Sequence, residues 1–397
     1  MSTDSAKTPE FGRRPAPPAE PSAKPASEAL RQDGAAPRSP RRSRASRSQF
    51  VVFMNFLMSL AVIAAVAAAA AVWFGKHQFE AAGPSTVKQT LLVKEGAGWG
   101  SISNQLESNG LITNASIFRL GVQAAGGEGG LRAGEYEIPA GASMRQIMDL
   151  LKSGKSIMYS ITIPEGLTVQ QAWDRIAATP ELSGDMPATM PPEGTLAADT
   201  QRFTRGTPRQ AIVDKMAAHQ KALVEEIWAK RDPNLPIADI NEFVTLASIV
   251  EKETGVAAER PRVAAVFINR INKGMRLQSD PTILYGLFGG KGRPADRPIY
   301  QSDIQKPTPY NTYVVDGLPP GPIANPGRAA LEAVANPPKT NDLYFVADGT
   351  GGHVFAETLE DHNRNVAKWR EIRRNQANSA GEDAPLEPVP APAEPAQ

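Results

Sequence analysis

The longest hydrophobic pattern in the chain is an uninterrupted apolar stretch over residues 50–74, which carries no charged side chain. At 1.5 Å per residue, a helix of this length spans about 37 Å and can cross the hydrocarbon core of a bilayer. We therefore predict a single N-terminal transmembrane helix over 50–74. Arginines cluster just before it and only Lys76 lies just after it, which predicts a cytoplasmic N-terminus. The competing interpretation is a cleaved signal peptide, whose apolar core is shorter, at roughly 7–15 residues.

Beyond residue 84, segments of helical periodicity alternate with short segments of strand character, which is typical of an α+β fold. Ser143 with Gln146 and Thr168 with Gln171 have the spacing of capping boxes and mark two helix starts. The other predicted elements are strands at 90–94, 134–138 and from 159, helices at 99–107, 114–122 and 208–230, an irregular segment at 180–207, and a β-hairpin between 342–347 and 353–356.

The segment around Glu251 has the pattern of a helix with one apolar face. Apolar residues between 243 and 250 recur at offsets of three and four, and Glu251 continues their stripe. Glu253 lies about 200° further round, at roughly 100° per residue. Asn241 is the predicted N-cap, and Gly255 is the predicted left-handed residue that ends the helix.

Two interpretations of Glu251 follow from this placement. Burial against an apolar wall disfavours the charged form and raises the pKa of a carboxyl, as a general acid near neutral pH requires. The alternative is a structural ion pair with Arg260 or Arg270 that joins two helices. A second helix, from Pro261 to Gly274, is predicted to pack beside the first.

Composition changes the picture at the two ends of the chain. Residues 1–49 and 376–397 are rich in Pro, Ala and charged residues, a composition that predicts disorder. Of the 43 Lys+Arg and 42 Asp+Glu, residues 1–49 hold 10 and 5, which leaves 33 and 37 for the remainder. The basic excess next to the apolar stretch favours a membrane anchor over a nucleic-acid arm. The chain has no cysteine, which excludes disulfides and thiolate chemistry.

Several ordered blocks resemble the MltG (YceG-like) endolytic transglycosylases, bacterial membrane enzymes that cut the glycan strands of peptidoglycan. The first block is Leu246–Thr254, and the catalytic glutamate of that family matches Glu251. Five blocks in order make a far more specific signal than one short motif. The other blocks are Arg276–Thr282, Tyr310–Tyr313, Gly317–Gly327, and Tyr344–Ala347 with Gly351–His353 and His362–Asn363.

The resemblance implies a domain order and a location. It implies a cytoplasmic segment 1–49, the transmembrane helix, a small LysM-like α+β domain at 86–157 and a larger α+β catalytic domain at 158–375. The catalytic domain is expected in the periplasm, anchored to the inner membrane. The implied partners are peptidoglycan glycan strands, the membrane and peptidoglycan synthases, and no nucleic acid. Whether the LysM-like domain contacts glycan or is only a spacer stays open, since fold-level analogy does not carry function.

The resemblance also implies a reaction without a cofactor. Glu251 protonates the oxygen of the β-1,4 bond between N-acetylmuramic acid (MurNAc) and N-acetylglucosamine (GlcNAc). As a carboxylate it then takes the proton of the muramic C6 hydroxyl, which attacks its own anomeric carbon. The expected products are 1,6-anhydro-MurNAc ends within strands, which would terminate elongation of nascent peptidoglycan. Two alternatives remain: a hydrolase that uses Glu251 and Asp280 as a pair, and a wall-binding scaffold in which Glu251 is structural.

Polar residues in the loop blocks are the candidate sugar ligands, since amides, phenols and exposed backbone suit a neutral N-acetylated sugar. Asp280 precedes Pro281, which fits either a helix cap or a second carboxylate near the acid. His353 and His362 as metal ligands are the weaker interpretation, and no metal site is predicted. The predicted substrate-binding residues are Gln278, Asp280, Tyr310, Asn311, Tyr313, Asn325 and His353.

Two segments depart from motifs they resemble. Ala197, Ala198 and Gln201 stand where the family carries Phe, Pro and Tyr, which puts a stacking role of that loop in doubt. The run 289–292 is rich in glycine around one lysine but lacks the Ser or Thr of a phosphate loop, so we predict a mobile surface loop there.

Overall fold

A computed structural model describes residues 45–126 and 129–380, without the side chains of 45–48 and 377–380. The predicted disorder of 1–44 and 381–397 therefore concerns residues outside the described range. The chain divides into two compact units, Met1–Ala69 and Ala70–Gln397.

The first helix, α1 (Ala45–Glu80), contains the apolar stretch. Its part from Gln49 to Glu80 is long and apolar enough to span a membrane. Helix α1 continues beyond the predicted span 50–74 at both ends, through residues 45–49 and 75–80. The side chains from Phe50 to Phe74 are exposed to the surroundings.

A small α+β lobe follows. Strands β1 (Gln89–Val93) and β2 (Gly134–Ile138) pair antiparallel, with Leu91 opposite Tyr136. Helices α2 (Trp99–Ser108), α3 (Ala115–Ala124) and α4 (Met144–Ser153) complete the lobe. The predicted capping box at Ser143 is confirmed, since both of its hydrogen bonds with Gln146 are present. The fully buried core of the lobe includes Leu91, Ile102, Leu106, Phe118, Tyr136, Met148 and Leu151.

The second antiparallel pair is β3 (Met158–Thr162) with β4 (Thr200–Thr204). It is accompanied by α5 (Val169–Ala177), which starts at the predicted Thr168 capping box, and by α6 (Arg209–Ala229). The prediction of an irregular segment at 180–207 is wrong at β4. There Gln201 and Phe203 alternate inward with outward-facing neighbours, a period of two that the single large apolar residue did not reveal.

Helix α7 (Ile240–Glu253) carries Glu251 and is central to the larger lobe. It packs against α6, α8 (Arg260–Asn272), α9 (Asp280–Phe288) and α11 (Arg328–Ala335). Every residue from Phe243 to Val250 is buried, so the helix is covered on all sides rather than on one face.

Three predicted helix ends, two of α7 and one of α9, need correction. Helix α7 starts at the N-cap Asp239, whose carboxylate accepts the Glu242 N–H, instead of at Asn241. It ends at Thr254 in an extended conformation, so Gly255 does not supply a left-handed end. Helix α9 has Ser279 as its N-cap, and Asp280 is its first residue rather than the cap.

The remaining elements close the larger lobe. Residues 289–291 form a 3-10 turn whose Gly290 lies against Gln170, so this run is packed rather than a mobile surface loop. The short helix α10 (Gln301–Ile304) follows. The predicted hairpin is confirmed as β5 (Tyr344–Ala347) paired with β6 (His353–Ala356). Helix α12 (Leu359–Ala380) packs on both of these strands and continues past the predicted fold end at 375.

Candidate active site

Glu251 lies in the last turn of α7 with its side chain only 4% exposed. Its Oε1 accepts a hydrogen bond from Arg260 Nη2 at 3.2 Å. Its Oε2 accepts one from the backbone N–H of Gly327 at 3.0 Å. Arg260 is itself 10% exposed, so this is a buried ion pair. Of the two predicted arginine partners, Arg260 is therefore correct, while Arg270 donates to the carbonyls of Leu277 and Leu343.

The turn between β3 and α5 brings a second carboxylate to the same place. Gly166, with φ +76°, presents no side chain to α7, and a Cβ there would lie 3.6 Å from Glu251 Cγ. Lys252 Nζ donates to the Gly166 carbonyl at 3.2 Å. The preceding residue, Glu165, lies against Gly327, where any added side chain would overlap its carboxylate. The carboxylates of Glu165 and Glu251 therefore both lie against Gly327.

These neighbours act on the acidity of Glu251 in opposite directions. Burial raises the pKa of its carboxyl, and the negative charge of Glu165 adds to that rise. The Gly327 N–H, Arg260 and Lys252 favour the carboxylate and lower the pKa. Burial dominates, so the net shift is upward. A carboxyl with this environment can hold a proton nearer to neutral pH and release it when a stronger base develops beside it.

Asn325 holds the loop that delivers Gly327. It is 0% exposed, its Oδ1 accepts the Leu196 N–H at 3.0 Å, and its Nδ2 donates to the Leu167 carbonyl at 2.9 Å. Its backbone carbonyl accepts the Gly166 N–H at 3.0 Å. Asn325, which was predicted to bind sugar, is therefore buried and connects the loop with the Gly166 turn. Its amide group already has hydrogen-bond partners within the protein.

Asp280 and Tyr313 come together at Glu253, on a different side of α7, and Gln278 precedes them in the same segment as Asp280. Tyr313 donates its hydroxyl proton to Asp280 Oδ1 at 2.7 Å, and Ser279 donates its own to Glu253. Burial raises the pKa of Glu253 to about 7, with the charge of Asp280 adding to the rise. Asp280 thus acts on Glu253 and Tyr313, and the carboxylate that acts on the acidity of Glu251 is Glu165.

Gln278 has a strained backbone. Its φ of +51° makes it the one non-glycine residue with positive φ in the described part of the chain. Its N–H donates to the Thr312 carbonyl at 3.1 Å, and its side-chain oxygen lies 3.4 Å from Arg270 Nη1. Strain of this kind persists only where neighbouring contacts fix the backbone and is common at ligand sites. Gln278 therefore keeps its place as a candidate ligand near Glu253.

The Tyr310–Tyr313 block separates into two environments. The ring of Tyr310 packs on Tyr285 with centroids 4.8 Å apart, near Glu193. Asn311 is 1% exposed and donates to the carbonyls of Ile304 and Lys306 at 2.8 and 2.9 Å. The predicted substrate contact of Asn311 is thus replaced by a role in holding its own loop.

His353 links the hairpin to the start of α8. Its Nδ1 lies 2.7 Å from Glu259 Oε2, and its backbone N–H donates to Glu259 Oε1 at 2.8 Å. Because Glu259 directly precedes Arg260, this contact helps fix the arginine that holds Glu251. His362 instead stacks on Tyr344 at 5.1 Å, and residues 45–126 and 129–380 contain no cluster of three His, Asp or Glu suited to a metal ion.

Sequence reasoning missed three groups of the site. No pattern in the sequence connects Glu165 with Glu251, and the positive φ of Gly166, which permits the close approach of the two segments, is seen only in the structure. Glu193 lies in the predicted irregular segment 180–207 and was given no role there. The Gly327 N–H could not be assigned because a backbone donor leaves no side-chain pattern.

Comparison with known proteins places these observations in a family. A model of the YceG-like family matches residues 91–368. The endolytic murein transglycosylase of Bacillus subtilis (strain 168) is 31% identical over 308 residues, covering 70% of this chain and 83% of that protein. The endolytic murein transglycosylase of Streptococcus pneumoniae (strain ATCC BAA-255 / R6) is 30% identical over 324 residues, and the match covers 58% of its length. A crystal structure of a putative yceG-like protein from Listeria monocytogenes shares 32% identity, with a TM-score of 0.44, over 70% of this chain and 99% of that one.

Proposed function

Because this chain belongs to the YceG-like family, we propose that it is a membrane-anchored endolytic murein transglycosylase. Its relatives in Bacillus subtilis and Streptococcus pneumoniae carry that name. The observation that carries the proposal is the position of Glu251, a buried carboxyl with a raised pKa that is held by Arg260 and the Gly327 N–H. Its substrate is the β-1,4 bond between MurNAc and GlcNAc within a peptidoglycan strand.

One residue serves as acid and then as base. Protonated Glu251 gives its proton to the glycosidic oxygen as that bond breaks, and GlcNAc leaves as an alcohol. The resulting carboxylate takes the proton of the muramic C6 hydroxyl, whose oxygen bonds to the anomeric carbon and closes a 1,6-anhydro ring. Because the nucleophile belongs to the substrate, proximity lowers the barrier by several kcal/mol without a bound water.

The surroundings of Glu251 support both of its protonation states. Burial and the charge of Glu165 favour the protonated form that starts the reaction. Arg260 and the Gly327 N–H stabilise the carboxylate that appears midway, by charge-assisted hydrogen bonds. A group that must lose and regain a proton in one cycle requires such a balance.

A second candidate reaction has one observation in its favour. Glu165 stands beside Glu251, and a pair of carboxylates can hydrolyse a glycosidic bond at separations of roughly 5–9.5 Å. In such a hydrolase Glu165, rather than Asp280, is the partner of Glu251. The products separate the two reactions, because only hydrolysis places an oxygen from water on the muramic end.

The test is digestion of uncrosslinked glycan strands by the full chain in detergent, in water labelled with ¹⁸O. We expect anhydro-muramic ends without label, and fragments that show cuts inside strands. Reducing muramic ends that carry ¹⁸O would show hydrolysis and overturn the transglycosylase mechanism. An absence of any cleavage would favour the wall-binding scaffold.

We further propose that α1 crosses the inner membrane once, with the N-terminus in the cytoplasm and the residues after Lys76 in the periplasm. The arginines before the apolar stretch and its length support this orientation. A reporter fused after Lys76 should then be active only outside the cytoplasm, and cytoplasmic activity would refute the orientation. In this position the enzyme would end nascent strands beside peptidoglycan synthases.

A further inference from the structure

A cavity of about 360 Å³ opens beside Glu193, away from the carboxylate of Glu251. Its wall combines two aromatic rings, a carboxylate and an amide, together with apolar surface. A larger cavity of about 570 Å³ shares Pro191 and Glu193 with it. The residues of the smaller cavity that matter here are Gln170, Met190, Glu193, Tyr285, Phe288 and Lys291.

Glu193 is a fixed hydrogen-bond acceptor in this wall. Its Oε1 accepts the Val169 N–H at 2.6 Å, and its Oε2 accepts the Tyr285 hydroxyl at 3.2 Å. Burial raises the pKa of Glu193 as well as that of Tyr285. Tyr310, from the Tyr310–Tyr313 block, packs on Tyr285 and restricts the position of the Tyr285 ring.

Each of the two rings is packed on one side and remains partly exposed. Tyr285 and Phe288 are both half-buried, and Arg297 lies over the Phe288 ring at 4.9 Å. Partly open aromatic rings next to fixed polar groups suit a pyranose ring, which has a flat apolar face and a rim of hydroxyls. The acetamido group of an N-acetylated sugar adds one N–H donor, for which Glu193 is an acceptor.

A short run of chain connects the cavity with Glu251. Gly166 packs on Glu251, and Val169, three residues later, donates to Glu193. Three residues span at most about 11 Å at 3.6 Å each. Thr168 between them donates its hydroxyl to the Gly290 carbonyl at 2.5 Å, which fixes the turn 289–291 as the cavity rim. A few linked pyranose rings cover this distance.

We propose that the cavity is a subsite for an N-acetylated sugar of the same glycan strand, several units from the bond cut at Glu251. We name it the Glu193 subsite, formed by the six residues above. This inference rests on the proposed function and adds to it a reason for cutting within strands. A strand that fills both the subsite and the site at Glu251 binds more tightly than a fragment that reaches only one of them.

The experiment measures kcat/KM of the full chain in detergent and of its variants Phe288→Ala and Tyr285→Phe. The two substrates are purified uncrosslinked strands and short glycan oligosaccharides without stem peptides. Phe288→Ala removes the stacking face, and Tyr285→Phe removes only one hydroxyl. We expect Phe288→Ala to lower the ratio of kcat/KM on long strands to that on short fragments about tenfold, mainly through KM, and Tyr285→Phe to lower it less. Glu225→Gln, an exposed carboxylate that lines only the neighbouring cavity, is the matched control and should leave the ratio unchanged.

Loss of activity on long and short substrates alike would show that Phe288 supports the fold, and unchanged ratios in both variants would show that no sugar binds there. Either result overturns the subsite. If the parent cuts no glycan, the proposed function fails, and binding of labelled strands to the parent and to Phe288→Ala still decides the subsite. Equal binding by the two proteins would then reject it, and weaker binding by Phe288→Ala would support it.

Discussion

Glu251 and Glu253 lie two residues apart in the last turn of α7, yet their surroundings differ in kind. Glu251 meets the Gly327 N–H from the loop before α11, the buried Arg260 at the start of α8, and the carboxylate of Glu165 from the turn before α5. Glu253 meets Ser279, Asp280 and the residues that hold the segment before α9. One helix end therefore serves two separate charge networks.

The comparison teaches that the size of a pKa shift does not identify the acid. Burial raises the pKa of Glu253 to about 7, and a search for perturbed groups alone would select it. Glu251, however, accepts hydrogen bonds from a cation and a backbone N–H, which support its charged form. Among the described residues, Glu253 accepts only the Ser279 hydroxyl, although the charge of Arg270 also acts on it. A residue that acts as acid and base needs both states supported, whereas a residue that keeps one proton can simply be buried.

The largest expected effect is on stability, when the cation at Glu251 is removed. Arg260→Leu leaves a buried carboxylate with one hydrogen bond, which costs about 3–5 kcal/mol where the charge stays unpaired. The loss of stability should be largest at pH 8 and smaller at pH 5, because at pH 5 Glu251 can take up a proton and no longer carries an unpaired charge. Urea unfolding of the full chain in detergent at both pH values measures this.

Arg364→Leu is the matched control for that experiment. Arg364 pairs with Glu360 at 2.7 Å on α12, but both side chains are exposed, so its loss should cost less than about 1 kcal/mol. Equal losses for the two variants, with no dependence on pH, would show that the Glu251 network does not rely on Arg260.

The next effect concerns Glu253 and separates it from Glu251. Its pKa is about 7 in the folded chain and about 4.3 when unfolded, so the folded form loses relative stability as pH rises through that window. Glu253→Gln stays neutral and can still accept the Ser279 hydroxyl. We expect equal stability to the parent near pH 4 and a gain of about 3–4 kcal/mol at pH 8, at 1.36 kcal/mol per unit of pKa difference.

Thermal unfolding between pH 4 and pH 8 measures this difference, with Glu332→Gln, an exposed carboxylate on α11, as the control. The control should change stability by no more than about 0.5 kcal/mol at any pH. Parallel curves for the parent and Glu253→Gln would mean that Glu253 is charged in the fold at neutral pH.

The smallest effect is on the pH profile. Glu165→Gln removes a negative charge that raises the pKa of Glu251, so the proton-donating form should be lost at a lower pH. The alkaline limb of kcat/KM should therefore move toward acid, while activity at the optimum stays within about fivefold of the parent. Because Glu165 is exposed, added salt should shrink the difference. A limb that stays in place would show that Glu165 does not act on Glu251.

Local signals in the sequence predicted local structure well. The capping boxes at Ser143 and Thr168 were read directly because donor and acceptor lie three residues apart. The ends of α7 and α9 were misplaced, since Asp239 and Ser279 compete with the neighbours Asn241 and Asp280 for the same cap. A choice between adjacent capping residues depends on where the rest of the fold directs each side chain.

The site was less predictable because its parts are far apart in sequence. Glu251 was identified from periodicity and resemblance, but Glu165 and Gly327 reach it only through the packed loop. Asn325 was predicted to face substrate, and its complete burial follows from bonds to Leu167 and Leu196, more than a hundred residues away. A polar residue in a glycine-rich loop has the same pattern whether it binds a ligand or holds the loop.

The most direct test of the central claim compares kcat of purified Glu251→Gln and Glu253→Gln on the same uncrosslinked strands. Both changes replace a carboxyl by an amide of equal shape, and they differ only in which network loses its proton. We expect Glu251→Gln to lose at least about 10²-fold in kcat and Glu253→Gln to stay within about tenfold of the parent. Full activity in Glu251→Gln together with a collapse in Glu253→Gln would contradict the assignment and make Glu253 the acid.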